Sequence, residues 1–100
     1  MTSNELIESL RANGGDRMWV EQAVELVAVL RGSSVDPRSP TLLGDMNAER
    51  FAHPRISDWL YKLPGHREGD MTAAERHLSY LTMQINAASA SFGGARDDYR

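Results

Sequence analysis

The chain has 100 residues, 41% of them hydrophobic, and a formal net charge of −3. That length supports one domain that buries roughly 60–70% of its unfolded surface, and the acidic balance argues against a surface built to release counterions from phosphate. Cysteine is absent, which excludes a disulfide framework, a thiolate nucleophile and a cysteine-ligated zinc or iron–sulfur centre.

Met1-Thr2-Ser3-Asn4-Glu5 has neither the basic leader nor the apolar core of a secretory signal. The longest apolar run, Val20 to Leu30, is interrupted by Glu21 and Glu25 and falls far short of the roughly 20 residues a membrane span requires. A cytoplasmic protein, away from membranes, is expected.

Thr2 and Glu5 stand at capping-box spacing and predict a first helix, with Leu6, Ile7 and Leu10 as its apolar face. Asn13-Gly14-Gly15 ends it, and Asp16 predicts the cap of a second helix over about 17–31. In that helix Val20, Ala23, Val24, Val27 and Leu30 share one face, with Arg17, Glu21 and Glu25 in a row on the other. Pro37 and Pro40 predict a loop after Gly32, because each proline removes a donor and pushes its predecessor out of the α region.

Asp45 predicts the cap of a short helix running to Phe51 or Ala52. Pro54 suits the first turn of the next, in which Ile56, Trp59, Leu60 and Leu63 form the apolar face. Thr72 and Glu75 predict a second capping box opening a helix from about 73 to 91. Along it Ala74, Leu78, Leu81, Ile85, Ala88 and Phe92 recur at spacings of four and three, which draws one continuous ridge. Gly93-Gly94 then predicts a break, with a single helical domain over 1–92 and a flexible tail over 93–100. No alternating strand pattern competes, so the expected fold is all-α: a compact irregular bundle of about five helices, two of them short.

Reactive constellations are few. His53, His66 and His77 fall on different predicted elements without the three or four convergent ligands a metal site needs, so neither metal nor cofactor is expected. Ser57 with His53 is the one nucleophile–base pairing the spacing leaves open, and Asn13-Gly14-Gly15-Asp16 lacks the lysine and the strand of a phosphate loop. Residues 45–63, carrying Arg50, Arg55 and Lys62, have the outline of a helix-turn-helix, though Asp45, Glu49 and Asp58 are interleaved with those cations. Met18, Trp19, Met46, Trp59, Met71 and Met83 are of the types used both in cores and at interfaces. The small run Ala87-Ala88-Ser89-Ala90-Ser91 suits close approach of another helix, inside the domain or in a homodimer.

The length, the all-helical pattern and the order of segments, from Met1-Thr2-Ser3-Asn4-Glu5-Leu6-Ile7 through Gly14-Gly15-Asp16-Arg17-Met18-Trp19 to Arg96-Asp97-Asp98-Tyr99-Arg100, resemble a phage-encoded anti-CRISPR protein of the type I-F class. Proteins of that class share no common fold or motif, so the resemblance transfers no functional residue. It implies a non-enzymatic inhibitor that binds protein subunits of the host's crRNA-guided surveillance complex and blocks target DNA, without itself holding nucleic acid. Residues 1–30 carry the whole formal charge of −3, which makes Glu5, Glu8, Asp16, Glu21 and Glu25 the expected contacts to a basic surface. The sequence is also compatible with a DNA-binding regulator using Arg50, Arg55 and Lys62, and with a phage assembly adaptor that dimerises through its last helix.

Overall fold

The computed structural model describes residues 2–13 and 15–93, the last three of these as backbone only. Five helices follow one another: α1 (Ser3–Asn13), α2 (Arg17–Leu30), α3 (Leu42–Glu49), α4 (Pro54–Tyr61) and α5 (Met71–Gly93). The all-α bundle read from the sequence is therefore the observed architecture, with α3 and α4 as the two short members. Gly14, the Phe92 side chain and residues 94–100, where the tail was expected, lie outside the described residues.

The caps explain most of the boundaries. The Thr2 amide donates to Glu5 Oε1 at 2.8 Å and the Glu5 amide to Thr2 Oγ1 at 3.1 Å, which is the reciprocal capping box. The Met18 amide donates to Asp16 Oδ1 at 2.8 Å, which starts α2. Pro54 occupies the first turn of α4, where its missing amide hydrogen costs nothing.

Two helix starts differ from the sequence expectation. Asp45 is inside the first turn of α3 and is not its cap, since its amide already donates to the Thr41 carbonyl at 3.0 Å. Its carboxylate instead accepts from Ser39 Oγ at 2.7 Å and Thr41 Oγ1 at 3.2 Å, tying the preceding loop to the helix. At α5 the cap is Asp70 and not Thr72: the Ala73 amide donates to Asp70 Oδ1 at 3.0 Å, two residues ahead of the anticipated box. The turn before it decides the matter, because the Asp70 amide closes on the Gly65 carbonyl at 2.7 Å and hands the chain over already in position.

The ridge of α5 is buried as its spacing requires, with Ala74, Leu78, Leu81, Ile85 and Ala88 all inside. Helices α1, α2 and α3 pack against α5, and α4 packs on α2 and α3. Trp59 is buried in the core, as is Met46, whereas Met18 and Met83 are exposed. The small-residue run packs internally along one edge: Ala88 is buried, and its carbonyl accepts a 2.7 Å bond from the buried hydroxyl of Ser9 on α1. Ala87 and Ala90 face outward.

Gly65 is the tightest backbone position. Its φ is +85°, and a Cβ there would sit 2.6 Å from the Asp70 carbonyl oxygen and 2.8 Å from the Ala73 Cβ. Gly32 has a similar φ of +86° with nothing within 4 Å. Gly32→Ala is expected to cost about 1 kcal/mol, the left-handed strain alone, and Gly65→Ala about 3 kcal/mol, strain plus overpacking. Urea denaturation of the two variants checks this difference, and equal costs would contradict it.

Candidate functional site

Helix α2 has two contrasting sides. Val20, Ala23, Val24 and Val27 face the core, so the 3.6-residue period leaves Met18, Glu21 and Glu25 exposed, with Trp19 and Gln22 along the border next to α5. The Trp19 ring packs against two side chains of α5, His77 at 5.1 Å and Tyr80 at 5.4 Å between centroids, both tilted. His77 Nε2–H donates to Gln22 Oε1 at 2.7 Å. One turn further along α2, Glu25 Oε1 accepts the indole N–H of Trp59 at 3.0 Å.

These bonds frame a cleft of about 320 Å³ between α2, the end of α4 and α5, lined by Gln22, Glu25, Trp59, Lys62, Leu63, Pro64 and His77. Beside it the Trp19–Tyr80 pair forms an aromatic ledge, with Tyr80 48% and Met18 61% exposed. Burial of His77 against this wall lowers its pKa, because its charged form loses solvation there.

Of the five carboxylates singled out from the sequence, two serve helix starts: Glu5 in the capping box and Asp16 as the α2 cap. Glu8 stands exposed on α1. Glu21 shares a shallow concavity with Arg11 and Arg17, and Glu25 holds the Trp59 indole. The fold thus brings together only Glu21 and Glu25, one turn apart on the exposed side of α2. Tyr80 and Gln22 carry no motif that marks them in the sequence; their one signal is a position one step off the apolar stripes of α5 and α2.

Groups able to support a reaction stay dispersed. The His53 imidazole lies 3.4 Å from Glu49, while the Ser57 amide donates to the His53 carbonyl, so that pair forms no nucleophile–base contact. His66 Nε2 is 3.5 Å from Asn47 Oδ1, its ring edge-on to Tyr61. Among the described residues no three His, Asp or Glu side chains converge to hold a metal ion, and no helix is long and apolar enough to cross a membrane. The basic residues of the α3–α4 pair also serve separate surroundings. Arg50 stacks on Phe51 at 4.9 Å, Arg55 Nη2 donates back to the Ala28 carbonyl at 3.4 Å, and Lys62 lines the cleft. Compared with known proteins, the chain matches no family, no curated relative and no solved structure.

The lowered pKa of His77 makes stability depend on pH with a definite sign. The folded state favours the neutral ring, so its contribution is present above the ordinary value of 6.5 and is lost as pH falls from there through the lower folded-state pKa. Unfolding free energy measured from pH 7.5 to 5 should therefore decline, and His77→Gln, which keeps an amide donor toward Gln22, should flatten that decline. An unchanged slope in the variant would remove His77 as its source.

Proposed function

We propose that this protein is a non-catalytic anti-CRISPR inhibitor that binds the type I-F crRNA-guided surveillance complex and keeps it from engaging target DNA. The observation that carries the binding part of this reading is the ledge of half-buried Trp19 and exposed Tyr80, with Met18, Glu21 and Glu25 exposed on the same helix α2. Aromatic and methionine side chains supply large contact area at protein interfaces, and a few of them carry most of the energy. The exposed carboxylates of α2 suit a partner rich in Arg and Lys, which is the character of any protein surface that must hold DNA phosphates. The choice of that partner rests on the resemblance to type I-F anti-CRISPR proteins. Occupation of a basic channel by an acidic helical domain blocks DNA sterically and neutralises the field that attracts it.

The test uses a preassembled surveillance complex. The purified protein in molar excess should comigrate with the complex and lower its occupancy on target DNA, with no component cut or modified. Tyr80→Ala should weaken binding about tenfold, the scale of an interface anchor. Glu21→Lys should slow association at low salt and flatten its salt dependence, since exposed charges are screened beyond about 8 Å at physiological ionic strength. Glu25 is a poorer choice because reversing it also removes the Trp59 indole's acceptor. Absence of comigration, or unchanged DNA occupancy, overturns the proposal. Comigration indifferent to both substitutions removes the ledge as the contact.

A further inference from the structure

We infer that the protein pairs with a second copy of itself through α3, each protomer seating its Phe51 in the other's groove between α3 and α5. The groove has a volume of about 680 Å³ and lies between residues 39–44 and one flank of α5; Leu43, Leu78 and Met83 supply apolar wall, and Glu75 is an exposed carboxylate on its lining. Nothing within the described residues fills it. Its apolar counterpart stands at the other end of the same helix: Phe51, two residues past the end of α3, is 85% exposed.

The placement of these features is self-complementary. Gly44, Ala48 and Phe51 follow at spacings of four and three, all three are exposed, and they share one side of α3. Two such helices laid antiparallel about a two-fold axis between Asn47 and Ala48 place each Phe51 over Gly44 of the other copy, about 10 Å along the helix from its own. Gly44 borders the groove, so the ring enters at that point.

Gly44 gives a second reason. Glycine weakens a helix relative to alanine, yet a Cβ at Gly44 would meet nothing within 4 Å. Its own fold therefore makes no use of the missing side chain, whereas a phenyl ring lying flat on the helix does.

Charge identifies the occupant as a second copy. Arg50 keeps helical backbone angles and holds its guanidinium 4.9 Å from the Phe51 ring, so the knob carries a cation at its base. Leu43 and Arg50 are seven residues apart and fall on the same flank of α3, the flank that faces the groove. The antiparallel pairing then brings Arg50 of one copy to Glu75 of the other, twice over. An interface made by one short helix and one groove per copy belongs at the small end of specific contacts, with dissociation at about 10–100 µM.

Sedimentation equilibrium from about 1 to 500 µM brackets that range. The wild-type mass should rise from 11.1 kDa to twice that value and stop. Phe51→Ala and Gly44→Leu should both stay at the single-chain mass with unchanged circular dichroism, because both positions face solvent in the single chain. Arg50→Glu and Glu75→Arg should each weaken pairing about threefold to tenfold, the scale of an exposed ion pair turned repulsive, and the two changes together should restore it. A wild type that remains a single chain at every concentration overturns the inference. So does pairing that survives Phe51→Ala, growth beyond two copies, or a double reversal that fails to restore association. A single-chain wild type whose binding to the surveillance complex depends on Phe51 would assign the knob to that other interface instead.

Discussion

The apolar ridge of α5 is the surface on which the rest of the molecule depends. Ala74, Leu78, Leu81, Ile85 and Ala88 run along one side of a helix that spans about 34 Å, long enough to receive α1 and α2 at one stage and α3 at another. Helices α1, α2 and α3 bury their faces against it, and α4 is held to it through α2 and α3. Neither α3 nor α4, at eight residues each, reaches the length at which an isolated helix holds together in water; tertiary burial sustains both.

The same geometry explains where polar chemistry collects. Once α2 lies against α5, its border residues meet those of α5 and α4, and the polar atoms caught there must find partners. Gln22 answers His77, and Glu25 answers the indole of Trp59. These bonds fix the side chains beneath the cleft, and Trp19 and Tyr80 rest on that framework as an ordered pair. A preorganised aromatic ledge would lose little side-chain freedom in the contact proposed for it.

Much of this fold is legible in the sequence because its signals are local. The reciprocal Thr2–Glu5 cap, the Asp16 cap, Pro54 at a first turn and the four-three spacing of α5 each depend on residues within a few positions of one another. The starts of α3 and α5 depart from the local pattern because the deciding bond comes from outside it. Asp45 was drawn into a hydroxyl cluster with Ser39 and Thr41, and Asp70 was placed by the Gly65 turn ahead of Thr72. The candidate site was less legible. Trp59 looks like a plain core residue and Glu25 like a plain solvated one, and a separation of 34 positions conceals that they share a bond. Likewise Gln22 and His77 are 55 positions apart, and only the docking of α2 on α5 joins them.

Native-state hydrogen exchange tests most directly whether α5 organises the molecule. Amides around Leu81 and Ile85 should exchange only through global unfolding, at the full unfolding free energy, while α3 and α4 open at lower cost. Exchange of the α5 centre through an opening less costly than that of α3 or α4 would contradict the account.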